Sequence, residues 1–132
     1  MNKINIACII DDDPIFIFGT KKIMQIANFC NSVHVFNNGA EAFSALKGFI
    51  ENNEELPEII LLDLNMPIMD GWQFLDKITT ISIPSSISIY IVTSSINPID
   101  VEKSKQYTNV TRYIVKPISA ADLKLILEDR AC

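Results

Sequence analysis

The sequence lacks any apolar run of the ~20 residues that a membrane-spanning helix requires. Its N-terminal apolar stretch, Ile4 to Ile10, is brief, and three aspartates follow it where a signal peptide would carry small residues. Basic residues are also too few for a strongly positive surface, since 11 lysines and arginines face 16 acidic residues and the net charge is −5. Nonspecific nucleic-acid binding and anionic-membrane binding both depend on a basic face. We therefore expect neither nucleic acid nor a membrane among the direct partners.

Cysteine and histidine are also scarce in the sequence. The three cysteines, Cys8, Cys30 and Cys132, have no metal-ligand spacing, and their odd number does not suggest a disulfide framework. Such cysteines fit reduced thiols in a protein of the cytoplasm. The only histidine, His34, falls in a short apolar stretch, and we interpret it as a surface side chain on an edge-like strand.

What the sequence does contain is a regular alternation of short apolar runs and helical patterns. With 132 residues, 48% hydrophobic and 20% charged, it is long and apolar enough for one folded domain. Strands are predicted at Ile4–Ile10, Ser32–Phe36, Ile59–Leu62, Ile87–Val92 and Arg112–Val115, and helices near Pro14, Asn38, Asp70, Asn97 and Ser119. Strand and helix alternating five times predicts an α/β fold, a parallel sheet with helices on both faces.

The first predicted helix begins at Pro14, with Asp13 as its N-cap, and runs to about Phe29. Its apolar face is predicted from four residues, Ile15, Gly19, Ile23 and Ile26. On this interpretation Gly19 permits close packing of the helix against the sheet.

Polar residues stand where the predicted strands end. Because parallel strands point the same way, their carboxyl ends lie at one edge of the sheet and form a cleft. The residues that close the first, third, fourth and fifth strands are Asp11 and Asp12, Asp63, Thr93, and Lys116. The predicted topology therefore gathers residues that are far apart in sequence into one site.

These residue types suit phosphoryl transfer onto a carboxylate. Two carboxylates ~4 Å apart repel by about 4 kcal/mol at an effective dielectric constant of 20. Mg²⁺ relieves such repulsion, because it prefers oxygen ligands and takes one or two carboxylates together with a phosphoryl oxygen. Lys116 offers a positive charge to that phosphoryl group, and Thr93 offers a hydroxyl donor. The simpler interpretations are helix caps for the aspartates and turn residues for Thr93.

Four stretches of the chain carry a family resemblance. They are Ile9 to Asp13, Leu62 to Gly71, Val92 to Ser94 and Tyr113 to Pro117. In order and spacing they resemble the receiver domain of two-component response regulators, of the stand-alone CheY-like type. The resemblance implies a flavodoxin-like, doubly wound (βα)5 fold with strand order 2-1-3-4-5. It also implies that residues 1–132 form one receiver domain with no output domain.

The resemblance implies a role for each residue of the cleft. Asp63 is the expected phosphoacceptor, taking a phosphoryl group from a phosphohistidine, and Lys116 pairs with that group. The Thr93 hydroxyl and the Ser94 backbone N–H bind its other oxygens. The expected Mg²⁺ ligands are Asp11, Asp12, Asp63 and the backbone carbonyl of Asn65. Movement of Thr93 would let Tyr113 turn inward, although an aromatic residue on a strand is as often a core residue. The Lys116–Pro117 bond is expected to be cis.

The implied function is a signalling switch. Its upstream partner would be a histidine kinase or a histidine phosphotransfer protein, and its target an unknown protein reading the surface of the fourth helix, fifth strand and fifth helix. We expect no enzyme activity beyond its own phosphorylation and dephosphorylation. A phosphatase is disfavoured because Asn65 replaces the second aspartate such enzymes use. The alternatives are a phosphate sink or relay intermediate, and a binding module independent of phosphorylation.

Overall fold

In the computed structural model, which describes residues 4–84 and 86–131, five strands and five helices alternate as predicted. They are β1 (Ile4–Ile10), α1 (Pro14–Ala27), β2 (Cys30–Phe36), α2 (Gly39–Glu51), β3 (Ile59–Leu62), α3 (Gly71–Ile78), β4 (Ser88–Thr93), α4 (Pro98–Ser104), β5 (Val110–Val115) and α5 (Ala120–Ala131). The strands β2 and β5 begin earlier than predicted, at Cys30 and Val110. Within the described residues, none of these helices is long and apolar enough to cross a membrane.

The five strands form one parallel sheet in the order β2-β1-β3-β4-β5, which confirms the predicted topology. The central strand β3 is buried along its whole length. One side of the sheet packs against apolar residues of α2 and α3, and the other against residues of α1 and α5. The sheet is therefore covered on both faces, and the carboxyl ends of its strands share one edge.

The apolar face predicted for α1 is only partly right, since Ile23 packs against the core but Ile15 and Ile26 do not. Ile15 and Ile26 are 82% and 80% exposed, and a Cβ built on Gly19 would meet no atom within 4 Å. The buried residues of the helix are Thr20 and Met24, and Phe16 packs partly on the same side. Residues 16, 20 and 24 share one helix face because they are four apart. The helix is thus rolled to bring Phe16 toward the sheet and to leave Ile15 and Ile26 in solvent.

His34 is half-buried, so its interpretation as a surface side chain is only partly right. It lies on β2, which is an edge strand as expected. Its ring centroid is 6.3 Å from that of Phe36 and 5.6 Å from that of Phe49 on α2. The ring therefore helps to cover the end of the apolar core rather than standing free in solvent.

Asp129 fastens α5 to the sheet. Its carboxylate accepts hydrogen bonds from Arg112 Nε at 2.7 Å, from Arg112 Nη2 at 2.9 Å and from the hydroxyl of the fully buried Tyr90 at 2.9 Å. The guanidinium of Arg112 is the main reason that the pKa of Asp129 lies below its ordinary value. Three charge-assisted hydrogen bonds thus join the last helix to β4 and β5.

The Asp129→Asn variant is expected to be less stable than the wild type at pH 7, and the difference should shrink in acid. The folded-state pKa of Asp129 is depressed, so ionisation of this group stabilises the fold above its unfolded pKa of about 3.9. That contribution is lost as the pH falls through the folded pKa. Urea midpoints at pH 7 and pH 3 measure it, with the exposed neighbour Glu128→Gln as control. An equal deficit at both pH values would contradict the assignment.

Candidate functional site

Asp63 lies at the carboxyl end of β3, as predicted, and is only 6% exposed. Its backbone N–H donates a 3.0 Å hydrogen bond to the carbonyl of Ile10, which holds it beside the end of β1. The Oδ1 atom accepts a 2.8 Å hydrogen bond from the backbone N–H of Leu64. The other carboxylate oxygen, Oδ2, is directed toward Lys116.

Lys116 follows β5 and joins two of the predicted carboxylates. Its Nζ lies 2.9 Å from Asp11 Oδ2, 3.6 Å from Asp63 Oδ2 and 4.4 Å from the ring centroid of Phe16. Burial disfavours the charged amine, but the close ion pair with Asp11 and the negative charge of Asp63 outweigh it and raise the pKa of Lys116. The Lys116–Pro117 bond is cis, as expected. The lysine is thus held charged at the centre of the site.

Asp11 is fully buried, whereas Asp12 is exposed. The Oδ1 atom of Asp11 accepts a 2.9 Å hydrogen bond from the backbone N–H of Asp13. Burial raises the pKa of Asp11, and the negative charge of Asp63 adds to the shift, against the opposing effects of Asp13 and Lys116. Asp13 caps α1 by accepting from the N–H of Ile15 at 3.0 Å, as predicted. Asp11 and Asp12 are therefore free of the capping role that was their simpler interpretation.

The three carboxylates are arranged so that one cation could touch all of them. Asp11, Asp12 and Asp63 each offer an oxygen, and these atoms lie within 4.8 Å of one another. An all-oxygen donor set suits a hard divalent cation such as Mg²⁺, and the Oδ2 atom of Asp11 is buried with no hydrogen-bond donor among the described residues, although Lys116 Nζ lies 2.9 Å away. The residues present therefore fit the predicted metal. Asn65 is exposed just beyond Asp63, and the role of its carbonyl stays a prediction.

The predicted switch residues meet at the loop between β4 and α4. Thr93, fully buried, ends β4, and its Oγ1 lies 3.5 Å from the backbone N of Ser95. Tyr113 on β5 is half-buried, packs against the core and donates a 2.9 Å hydrogen bond to the carbonyl of Ser95. Tyr113 is therefore both a core residue and a polar contact of this loop. Ser94, between Thr93 and Ser95 in the loop, is exposed, and its predicted role in binding the phosphoryl group stays a prediction.

Some residues of the site were not identified from the sequence. Gly71 enters the sequence analysis only as the end of a stretch that carries the resemblance, yet its N–H donates a 3.0 Å hydrogen bond to the Leu64 carbonyl. A Cβ on Gly71 would overlap the carbonyl oxygen of Asp63 and lie 2.8 Å from Leu64 Cα. Asp100 also has no role predicted from the sequence, but its carboxylate accepts a 2.7 Å hydrogen bond from the Ser95 hydroxyl. The signals were present, a glycine after a capping aspartate and an acid near a serine, but neither identifies its contact.

Similarities to known proteins agree with this geometry. The family model described as the response regulator receiver domain matches residues 7–128. A probable methanogenesis regulatory protein of Methanothrix harundinacea, FilR2, is 26% identical over 94% of this chain and 79% of its own length. The sensor histidine kinase CheAY of Helicobacter pylori is 30% identical over 69% of this chain, which covers only 11% of that kinase.

The fold comparison points the same way. A two-component response regulator from Cytophaga hutchinsonii superposes with a TM-score of 0.89 and 26% identity, covering 98% of both chains. The matched region includes every strand end that contributes to the site. The chain therefore belongs to the response regulator receiver domain family of two-component signalling.

Proposed function

We propose that this chain is a phosphoacceptor switch in which Asp63 takes a phosphoryl group from a phosphohistidine. The observation that carries the proposal is the placement of Lys116 between Asp11 and Asp63, at 2.9 and 3.6 Å. A nearly buried carboxylate with a lysine on one side and two further carboxylates beside it suits phosphoryl transfer, which depends on positioning and charge neutralisation.

In the proposed step, a carboxylate oxygen of Asp63 attacks phosphorus and forms a new P–O bond. The P–N bond to the donor imidazole breaks, and its electron pair stays on the ring nitrogen. Lys116 Nζ, the Thr93 hydroxyl and the Ser94 N–H each take one oxygen of the transferred group. Attack by water on phosphorus later releases inorganic phosphate and restores the carboxylate.

The proposed metal is Mg²⁺. Asp11, Asp12, Asp63 and the carbonyl of Asn65 would hold it, and when bound it neutralises the carboxylates and the charge of the phosphoryl group. In the ion pairs of the described residues, Lys116 is the cation that contacts both Asp11 and Asp63 when no metal is bound.

The proposed partners follow from this chemistry. The donor is a histidine kinase or a phosphotransfer protein, and the family assignment supports a donor of that class. The target is a protein that reads the α4-β5-α5 surface, and the link from Tyr113 to the α4 loop supports that location. The domain would act in the cytoplasm and catalyse only its own phosphorylation and dephosphorylation. A phosphate sink or relay role uses the same site chemistry and differs only in the partner.

The experiment that tests the proposal is intact mass measurement after incubation with a small phosphodonor. Acetyl phosphate and phosphoramidate supply P–O and P–N bonds, respectively. We expect a single phosphoryl adduct that needs Mg²⁺ and is absent from the Asp63→Asn variant, because an amide is a far weaker nucleophile than a carboxylate.

Asp76→Asn is the matched control, since this exposed aspartate of α3 lies outside the carboxylate cluster. An adduct that persists in Asp63→Asn would place the phosphoryl group elsewhere. No adduct with either donor would overturn the switch and favour the alternative, a binding module that works without phosphorylation.

A further inference from the structure

Ser95, in the loop between β4 and α4, contacts both predicted switch residues. Its backbone N lies 3.5 Å from Thr93 Oγ1, and its carbonyl accepts the 2.9 Å hydrogen bond from the Tyr113 hydroxyl. Ser95 also directly follows Ser94, whose backbone N–H is a proposed phosphoryl ligand. The position of Ser95 therefore governs the placement of three groups of the proposed site.

The side chain of Ser95 is held by Asp100. Its hydroxyl donates a 2.7 Å hydrogen bond to Asp100 Oδ2, and its Oγ accepts a longer one, 3.3 Å, from the backbone N–H of Asn97. Ser95 and Asp100 are both half-buried. A hydroxyl bound to a carboxylate at this distance is one of the stronger neutral-to-charged hydrogen bonds. The loop is thus closed onto the first turn of α4.

Capping of α4 does not explain this carboxylate. Asn97 already caps the helix, since its Oδ1 accepts a 3.0 Å hydrogen bond from the N–H of Ile99. The side-chain hydrogen bond described for Asp100 goes instead to Ser95. The position of Asp100 in the first turn of α4 therefore does not explain why its carboxylate binds the Ser95 hydroxyl.

We propose that Asp100 is a positioning residue for phosphoryl transfer to Asp63, an inference that rests on the proposed function. By holding Ser95, it fixes the loop so that the Ser94 N–H and the Thr93 hydroxyl are in place before the phosphoryl group arrives. Donors that are already oriented need no reorganisation in the transition state. Without this hydrogen bond the loop must be ordered during the reaction, and the reaction is slower.

Charge and hydrogen bonding at Asp100 must be separated, because its charge also reaches the site. Burial raises the pKa of Tyr113, and the negative charges of Asp100 and Asp63 add to the shift against the hydrogen bond to Ser95. Asp100→Asn removes the charge but keeps an oxygen that can accept from Ser95. Asp100→Ala removes both, and Ser95→Ala removes the donor while leaving the charge.

The experiment measures the rate of adduct formation with acetyl phosphate and Mg²⁺ in the full chain, well below each variant's unfolding midpoint. We expect Asp100→Ala and Ser95→Ala each to slow phosphorylation roughly three- to tenfold, as expected for loss of preorganisation. The double variant should be no slower than either single one, because both remove the same hydrogen bond. Asp100→Asn should retain a rate within about twofold of wild type.

Glu102→Ala is the control, since it removes the same charge from an exposed position of α4. Wild-type rates in both Asp100→Ala and Ser95→Ala, or multiplicative losses in the double variant, would overturn the inference while the proposed function stands. A loss in Asp100→Asn as large as in Asp100→Ala would show a charge effect and also overturn it. No adduct on the wild type would overturn the proposed function, and this inference with it.

Discussion

Replacing Gly71 with alanine is expected to destabilise the domain by about 2–3 kcal/mol, the usual effect of overpacking a tight contact, and to slow phosphorylation more than tenfold. The added Cβ would overlap the Asp63 carbonyl and lie 2.8 Å from Leu64 Cα and 3.2 Å from Asp63 C. These are backbone atoms, which cannot swing aside as the end of a flexible side chain could. The chain must therefore shift at Asp63, the proposed phosphoacceptor.

Two other glycines provide matched controls for this variant. A Cβ on Gly19 in α1 or on Gly48 in α2 would meet no atom within 4 Å. Alanine at either position should stabilise the domain by about 0.5–1 kcal/mol, because glycine is unfavourable in a helix interior. Urea denaturation and the rate of adduct formation measure both effects for all three variants.

The Gly71 result separates a crowding effect from a general helix effect. If Gly71→Ala behaved like the two controls, with higher stability and an unchanged rate, the close approach of α3 to Asp63 would be wrong. If stability fell but the rate did not, the shift would be absorbed in α3 rather than at Asp63. Only a loss of both stability and rate supports Gly71 as the residue that lets α3 begin against Asp63.

Much of the fold could be predicted because its signals are local. Each strand is a short apolar run that ends at a polar or turn residue, and parallel strands necessarily bring those ends to one edge. That rule alone predicts that Asp11, Asp63 and Lys116 lie together, and the two carboxylates are 2.9 and 3.6 Å from the lysine amine. No side-chain detail was needed for that prediction.

The rest could not be predicted because the sequence allows several side-chain contacts and only the folded chain shows which of them forms. The roll of α1 is one case, since the stripe that contains Ile15 and Ile26 and the stripe that contains Phe16 and Met24 both carry large apolar residues. The choice between them is seen only where Phe16 lies under the amine of Lys116. The bond between Ser95 and Asp100 is another, because it forms only when the loop folds back over the first turn of α4. In both cases the sequence pattern permits several contacts and the tertiary fold selects one.

Replacing Lys116 with methionine is expected to have the largest effect on function, lowering the rate of adduct formation at least about a hundredfold, as for loss of a principal electrostatic contact in a transition state. Methionine preserves much of the side-chain volume but leaves Asp11 buried without its cation. Removing one partner of a buried ion pair is strongly destabilising, so we expect a loss of about 2–3 kcal/mol in the absence of Mg²⁺. Lys124→Met, at an exposed position of α5, is the control.

A second substitution distinguishes the two consequences of losing Lys116. In the Lys116→Met background, Asp11→Asn removes the uncompensated charge, so it should restore most of the lost stability. It should not restore phosphorylation, because the proposed lysine partner of the phosphoryl group is still missing and a proposed Mg²⁺ ligand has also been removed. Urea midpoints without Mg²⁺ and intact mass with Mg²⁺ measure the two effects.

If Asp11→Asn failed to restore stability, Lys116 would be stabilising the fold through its packing on Phe16 rather than through its charge. If Lys116→Met were phosphorylated at the wild-type rate, the charge on the phosphoryl group would have to be neutralised by the carboxylate-bound cation alone.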